Sequence, residues 1–319
     1  MNNAKLKKLI QKMTPQGRLL RTWPLKGGIS AQMTALELML PDGQSQKMIV
    51  RQPSARKLQQ TPQAAADEFK LLQITQSAGL ATQTPYHLDQ SGQIFPTPYL
   101  VMEYIEGQPD FAPTNLADFI FQFAIQLAKI HSIDSSKLDL AFLPTQTKTL
   151  TDNLGKRPAN LDHSLDEGQI RDALEANWLS VRRRPSVLLH GDFWPGNVLW
   201  QAGQLVAVID WEDAKLGDPL ADLAISRLDM LWIFGRNAKQ ELTQHYQSLL
   251  SHSRMGSDFT NLPYWDLYAA LRPASSIAEW ATVYPPWGRA DITEETMRAG
   301  HKWFITQAFR ALVPNRLFS

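Results

Sequence analysis

Near the middle of this 319-residue chain lies the segment Leu188-Leu189-His190-Gly191-Asp192-Phe193-Trp194-Pro195-Gly196-Asn197-Val198-Leu199-Trp200. A second segment, Val206-Ala207-Val208-Ile209-Asp210-Trp211-Glu212, follows shortly after it. Apolar runs of this length, bounded by turn residues, are typical of buried strands. Asp192 therefore lies in a loop after one strand, Asn197 lies where the chain returns to a strand, and Asp210 ends another.

These three polar residues match the needs of phosphoryl transfer. A carboxylate is needed to orient the acceptor hydroxyl and take its proton, and Asp192 fits this role. Mg²⁺ is a hard cation that prefers oxygen ligands, which Asn197 and Asp210 can supply. Each acid alone could be an ordinary loop or strand-end residue. The set as a whole indicates kinase chemistry.

The motif resembles a known family. His190 to Asn197, Ile209 to Glu212 and Gly217-Asp218-Pro219-Leu220-Ala221-Asp222 are similar to motifs of the aminoglycoside phosphotransferase and choline kinase superfamily. The resemblance implies an α+β, two-lobed protein-kinase-like fold, with a small antiparallel-sheet N-terminal lobe and a large, mainly helical C-terminal lobe. We expect the lobes to comprise residues 1–105, which bind nucleotide, and 106–319, which carry the catalytic and acceptor-binding groups.

The N-terminal part alternates in the manner of strands. Arg18 to Leu25, Thr34 to Leu40 and Lys47 to Arg51 are strand candidates, and Thr61-Pro62 predicts a helix start, with Thr61 as N-cap. That helix is expected to run to about Ser77.

The resemblance places nucleotide contacts in this lobe. Gly27, Gly28 and Ser30 would form a loop over the phosphates, although two glycines in a hairpin can also be only a turn. Ile49 would cover the adenine and Arg51 would reach the α- and β-phosphates; the alternative is a surface arginine at a strand end.

Two further segments complete the predicted nucleotide site. Glu68 is favoured over Asp67 as the helix acid that pairs with the strand cation, because the two point about 100° apart on a helix. Glu103, Tyr104 and Ile105 are the candidates for backbone contacts to the adenine edge, although a core strand would have the same sequence character.

Other polar residues near the motif are interpreted as structural. His190 is expected to brace the loop, Asp218 to cap the following helix, and Asp222 to lie in its first turn, within reach of the catalytic loop. The helix follows so soon that no activation segment is expected, which argues against a protein substrate.

The acceptor pocket is expected in the helical lobe, which is rich in Trp and Tyr. Asp229 and Glu279 are the candidate pocket acids, because carboxylates and aromatic faces both attract an amine. The alternative is that the aromatic residues form the core and that these acids face solvent.

Composition excludes several other classes. The net charge of +1 gives no electrostatic reason to expect nucleic acid as a partner. Because the chain has no cysteine, disulfides and thiolate chemistry are excluded. No apolar run approaches the length of a membrane span and no signal-peptide pattern is present, so we expect a cytoplasmic location and no membrane association.

The sequence therefore predicts a small-molecule O-kinase. It would transfer the γ-phosphoryl group of ATP or GTP, with Mg²⁺, to a hydroxyl of a small metabolite or antibiotic. A choline- or ethanolamine-type kinase and a non-catalytic, nucleotide-binding pseudokinase are the alternatives.

Overall fold

The computed structural model describes residues 3–25, 31–181, 184–251 and 258–312. Contacts divide the chain into two units. The first comprises Met1–Gly107 together with Val206–Glu212, and the second comprises Gln108–Leu205 and Asp213–Ser319. The boundary predicted from the sequence places 206–212 in the C-terminal lobe, whereas the structure groups this short segment with the first unit.

The first unit is built on an antiparallel sheet. Its five strands lie in the order β1-β2-β3-β5-β4. The elements are α1 (Asn3–Met13), β1 (Arg18–Pro24), β2 (Ala31–Met39), β3 (Ser45–Pro53), α2 (Ala55–Gln60), α3 (Ala64–Ser77), β4 (Pro85–Asp89) and β5 (Tyr99–Glu103). In the central strand β3, Arg51 lies opposite Met33 and Leu100.

The helix α1 packs on this sheet through one apolar stripe. Leu6, Leu9 and Ile10 are buried, and their spacing places them on one face of the helix. They join a core that includes Leu36 and Val101 from the sheet. The lysines of α1 lie between these positions, which explains why this basic segment forms an amphipathic helix.

The predicted start of the long helix at Thr61 is wrong. Thr61 ends the short helix α2, and α3 begins at Ala64. The reason lies in Pro62, whose ring disfavours helical geometry in the preceding residue; Thr61 has φ −139° and ψ 87°. The predicted end of α3 at Ser77 is confirmed.

The second unit is mainly helical. Its helices are α4 (Leu116–His131), α5 (Gln146–Gly155), α6 (Glu167–Asn177), α7 (Leu220–Leu250), α8 (Leu262–Ala270), α9 (Ile277–Ala281) and α10 (Glu294–Leu312). Short strands flank the segment that carries Asp192 and Asn197: β6 (Val187–Leu189), β7 (Val198–Gln201), β8 (Gln204–Val208) and β9 (Lys215–Gly217). The strand β6 pairs with β9, and β7 pairs with β8.

The helix α7 is the central element of the second unit. Every residue from Leu220 to Ile233 is buried, which is typical of a helix surrounded by protein on all sides. Gly235, with φ +87°, breaks the helical geometry. The predicted α+β class, with an antiparallel sheet followed by a mainly helical region, is confirmed. No helix within the described ranges is both long enough and apolar enough to span a membrane.

Candidate active site

Asp192 and Asn197 are hydrogen bonded to each other in the loop between β6 and β7. Asn197 Nδ2 donates to the backbone oxygen of Asp192 at 2.9 Å and to its Oδ2 at 3.0 Å. The spacing of five residues allows this because the loop closes in a single 3₁₀ turn, Pro195–Asn197. Because the NH₂ group of Asn197 is directed at Asp192, the side-chain carbonyl oxygen of Asn197 is a possible metal ligand.

Asp222 fixes the start of this loop. Its carboxylate accepts hydrogen bonds from the backbone N–H groups of His190 at 2.7 Å and Gly191 at 2.9 Å. His131 Nε2 lies 3.2 Å from the same carboxylate. Burial alone would raise the pKa of Asp222, but the hydrogen bond and charge of His131 and the bond from the Gly191 N–H lower it. The prediction that Asp222 bonds back to the catalytic loop is confirmed.

Gly191 is required by the path of the loop. Its φ is +84°, and a Cβ atom at this position would overlap the backbone oxygen of Asp213. A side chain would therefore meet both the steric cost of positive φ and a collision with rigid backbone. The residue before Asp192 must be glycine for the loop to keep this shape.

Arg51 is the centre of a buried ion cluster in the first unit. Its Nε donates to Glu68 at 2.9 Å, and its Nη2 donates to Glu212 at 2.7 Å and to Asp210 at 3.2 Å. Burial would lower the pKa of Arg51, but the three carboxylates together raise it. Only 3% of the arginine side chain is exposed, so it is a strand cation enclosed by protein and not a surface residue.

Glu68 is the helix acid in this cluster. Its side chain is buried, and burial raises its pKa while Arg51 acts in the opposite direction. The neighbouring Asp67 is a first-turn residue of α3 and takes no part in the ion pairs of Arg51. Glu212 lies in the sequence motif Ile209 to Glu212, but no role is assigned to it from the sequence, and its ion pair with Arg51 is seen only in the structure.

Asp210 has an unusual backbone conformation. Its φ is +64°, in the left-handed region, which costs free energy for any residue with a side chain and recurs at functional sites. One oxygen, Oδ1, is bound by Arg51, and the side chain is 31% exposed. The carboxylate is therefore oriented and accessible, as a metal ligand must be.

Glu103, Tyr104 and Ile105 are the residues predicted to contact adenine through their backbone. Part of this backbone already forms hydrogen bonds within the protein. The Glu103 N–H donates to the Thr84 oxygen at 2.8 Å, and the Glu103 oxygen accepts from Gln83 Nε2 at 3.0 Å. Tyr104 donates to the Lys47 oxygen at 3.4 Å. Of the three candidates Glu103, Tyr104 and Ile105, the N–H groups of the first two are thus used within the protein. Ile49 is buried in β3, and Gly27, Gly28 and Ser30 lie outside the described residues.

Arg272 is a functional candidate that sequence reasoning missed. It follows α8, and its Nη2 forms an ion pair with Asp192 Oδ1, while its Nη1 lies 3.3 Å from Asp229 Oδ2. Asp229 is buried, and burial raises its pKa to about 7 against the opposing effect of Arg272. Glu279, the other predicted pocket acid, is exposed on α9.

A cleft of about 550 Å³ opens in the second unit beside Phe111. Its walls include Trp232 from α7 and Ile292. Phe111 also stacks on Trp194 of the catalytic loop, with ring centroids 6.1 Å apart. A cleft lined by apolar residues together with Arg289 and Asp291 is thus present in the helical unit, whereas Tyr264 and Trp265 are buried in the core.

Comparison with known proteins identifies the family. A profile described as the phosphotransferase enzyme family matches residues 24–255. The chain belongs to this phosphotransferase family. The predicted resemblance is therefore confirmed.

Solved structures support the kinase-like fold of the phosphotransferase. The GDP complex of aminoglycoside 2′-phosphotransferase-IIIa has a TM-score of 0.61 at 16% identity, covering 98% of this chain and 97% of that one. The ADP-bound aminoglycoside phosphotransferase APH(2″)-Ib has a TM-score of 0.55 at 18% identity, covering 98% and 100%. At such identities the likeness establishes the fold and leaves the acceptor open.

Curated proteins with related sequences are named as members of the acyl-CoA dehydrogenase family. Mouse acyl-CoA dehydrogenase family member 10 is 27% identical over 203 residues, which are 57% of this chain and 18% of that protein. Mouse acyl-CoA dehydrogenase family member 11 is 28% identical over 231 residues, 64% of this chain and 29% of that protein. The chain therefore matches less than a third of the length of either relative.

Proposed function

We propose that this protein is a magnesium-dependent small-molecule O-kinase that transfers the γ-phosphoryl group of ATP or GTP to a hydroxyl. The observation that carries the proposal is the pair Asp192–Asn197, held in one loop by hydrogen bonds and braced by Asp222. A loop in which both the base and its amide neighbour are oriented by buried contacts is suited to catalysis, since positioning accounts for much of the rate in phosphoryl transfer.

The reaction assigns Asp192 a defined task. The acceptor oxygen forms a bond to the γ-phosphorus as the bond from that phosphorus to the β-phosphate oxygen breaks, and the nucleoside diphosphate leaves. The hydroxyl proton goes to the Asp192 carboxylate. Because the transition state is loose, orienting the hydroxyl for in-line attack matters more than strong basicity.

Asn197 and Asp210 are the proposed magnesium ligands. Their donor types, an amide oxygen and a carboxylate oxygen, suit a hard cation. A bound Mg²⁺ would neutralise charge on the transferring phosphates. The two residues belong to different units, so the assignment of both to one ion rests on the sequence motif, while each side chain is oriented within its own unit.

The nucleotide contacts are proposed from the first unit. Arg51, with Glu68, would supply the cationic side of the phosphate site, and Ile49 and Ile105 would contact the base. Relatives of the same fold are complexes with GDP and with ADP. Whether this chain uses ATP or GTP is tested by comparing the affinity of both nucleotides by calorimetry.

The acceptor class is tested by a panel of hydroxyl compounds. Aminoglycosides enter the panel because of the structural relatives, amino alcohols because of the choline kinase resemblance, and hydroxylated acyl-CoA thioesters because of the curated relatives' names. Release of nucleoside diphosphate above the rate with water alone, together with a mass increase of one phosphoryl group on the acceptor, would identify the substrate.

Replacement of Asp192 tests the reaction itself. Asp192→Asn should lower kcat on any accepted substrate by roughly 10²–10⁴-fold while leaving nucleotide affinity unchanged. Asp152→Asn, which removes an exposed helix carboxylate in the same unit, is the matched control and should retain full activity. Near-normal turnover of Asp192→Asn would reject the assignment, and nucleotide binding without turnover on every acceptor would favour the pseudokinase alternative.

A further inference from the structure

Arg272 connects the catalytic carboxylate to a second acid of the helical unit. Its Nη2 contacts Asp192 Oδ1 and its Nη1 contacts Asp229 Oδ2. The guanidinium lies over the ring of Trp280, 5.4 Å from its centroid. All four side chains belong to the second unit. The arrangement places a positive charge directly on the group that must receive the acceptor hydroxyl.

This contact restricts how Asp192 can work. Its Oδ2 accepts a hydrogen bond from Asn197, and its Oδ1 is paired with Arg272. A hydroxyl within hydrogen-bond reach of Asp192 must share one of these two oxygens, each of which has a second lone pair. An acceptor at Oδ1 therefore lies next to the positive charge of Arg272, which favours an acceptor that carries a negative group.

The acids of this region offer no place for an amine. In α7 and α8 the buried acids are Asp222, Asp229 and Asp266. Asp222 accepts hydrogen bonds from backbone N–H groups, and Asp229 is paired with Arg272. Asp266 accepts from Arg227 Nε at 3.0 Å and from Arg227 Nη2 at 2.9 Å. A cationic acceptor would thus meet Arg272 beside the base and find each of these carboxylates already paired.

Arg272 still has capacity for a ligand. Of its five N–H groups, two donate to side chains of the described residues. The side chain is 24% exposed, in contrast to the enclosed Arg51. A planar guanidinium with donors remaining binds carboxylate or phosphate groups through two parallel hydrogen bonds, which an ammonium group cannot reproduce.

We propose that Arg272 binds an anionic group of the acceptor, so that the preferred acceptor is a hydroxy compound carrying a carboxylate or a phosphate. The inference rests on the proposed kinase function, which it narrows. When the anion binds, Arg272 moves its ion pair from Asp192 to the ligand and Asp192 becomes available to the hydroxyl. The acceptor thereby contributes to forming the competent state of the base.

The test compares acceptors with and without an anionic group. Glycerate and glyceramide form one pair, glycerol 3-phosphate and glycerol a second, and choline supplies a cation. We expect kcat/KM and calorimetric affinity, measured with nucleotide present, to be at least about tenfold higher for the anionic member, since a charge-assisted hydrogen bond contributes roughly 1.5–3 kcal/mol. The two pairs distinguish a carboxylate ligand from a phosphate ligand.

Variants of Arg272 separate recognition from folding. Arg272→Gln should raise KM for the anionic acceptor by about 10–100-fold more than it changes KM for the neutral partner. Arg272→Lys keeps the charge but loses the fork and should give an intermediate KM with normal thermal unfolding. Arg157→Gln removes an exposed arginine of the same unit and is the matched control.

The outcomes distinguish this inference from the kinase proposal. Equal losses on charged and neutral acceptors in Arg272→Gln, preference for choline, or failure of every anionic probe to bind would overturn the role of Arg272. If glycerate or glycerol 3-phosphate binds through Arg272 but Asp192→Asn leaves phosphorylation unaffected, the kinase assignment of Asp192 fails while anion recognition stands.

Discussion

Arg51 Nη2 lies 3.2 Å from Asp210 Oδ1, which joins the central strand of the sheet to the acid that follows β8. Glu68 and Glu212 bind the same guanidinium. Three carboxylates around one cation leave an excess of negative charge, and this excess favours binding of a further cation at the exposed part of Asp210. The ion cluster and the proposed magnesium ligand are thus one electrostatic unit.

Arg51→Met should destabilise the protein by about 3–5 kcal/mol, because it leaves the buried Glu68 and the partly exposed Asp210 and Glu212 without their cation. Arg21→Met is the matched control: Arg21 pairs with Glu37, but its side chain is 63% exposed, and an exposed pair contributes at most about 1 kcal/mol. Urea unfolding of both variants gives the comparison. Similar losses in the two would show that the Arg51 cluster contributes no more than a surface ion pair.

Asp222→Asn should cost about 2–3 kcal/mol, because an amide can accept from only part of the backbone donors that the carboxylate binds. The pKa of Asp222 is below its usual 3.8 in the folded protein. Its contribution is therefore complete above about pH 4 and is lost as pH falls further. Unfolding free energies of both proteins should converge at low pH. A difference that stays constant down to acid unfolding would contradict the assignment.

The contribution of Asp229 to the free energy of unfolding should change with pH in the direction opposite to that of Asp222. Its folded-state pKa is raised from 3.8 to about 7, so the folded protein retains a proton that the unfolded chain has lost. Wild-type stability relative to Asp229→Asn should fall as pH rises from about 4 to about 7 and then level off, by at most about 1.4 kcal/mol per pH unit. Parallel unfolding curves over this range would show that Asp229 is ionised throughout.

Two glycines with similar backbone angles form a matched pair of substitutions. Gly203 has φ +76° and open space where a methyl group would lie, whereas a Cβ at Gly191 would collide with the Asp213 oxygen. Gly203→Ala should cost about 1–2 kcal/mol, the strain of positive φ alone. Gly191→Ala should cost clearly more and abolish turnover, because the catalytic loop must shift. Equal unfolding midpoints for the two variants would remove the steric argument.

The contact between the proposed catalytic residues could be predicted because their geometry is local. Asp192 and Asn197 meet within one short loop, so spacing alone specifies their contact. Glu68 could be distinguished from Asp67 by helical phase, although the predicted start of the helix is wrong, since Pro62 lies before α3 and not in its first turn. These are short-range properties, for which sequence patterns carry direct physical information.

Arg272 could not be predicted for the opposite reason. It is 80 residues from Asp192 in the chain, and Arg272-Pro273 in a turn has no motif that signals a functional role. The pairing depends on how α7 and α8 pack, which periodicity does not specify. The sequence predicts that Asp229 binds an amine, but this prediction does not consider Arg272. The positive charge of Arg272 already pairs with the Asp229 carboxylate.

The inclusion of Val206–Glu212 in the first unit affects the order in which the protein can be assembled during synthesis. Residues 1–107 emerge from the ribosome first, yet Asp210 and Glu212, two of the three partners of Arg51, follow only after residues 108–205 have been made. Until residues 206–212 are made, Arg51 in the sheet lacks two of its three carboxylate partners. A fragment ending at residue 107 should be unstable by itself and should gain protection from proteolysis when a peptide of residues 206–212 is added.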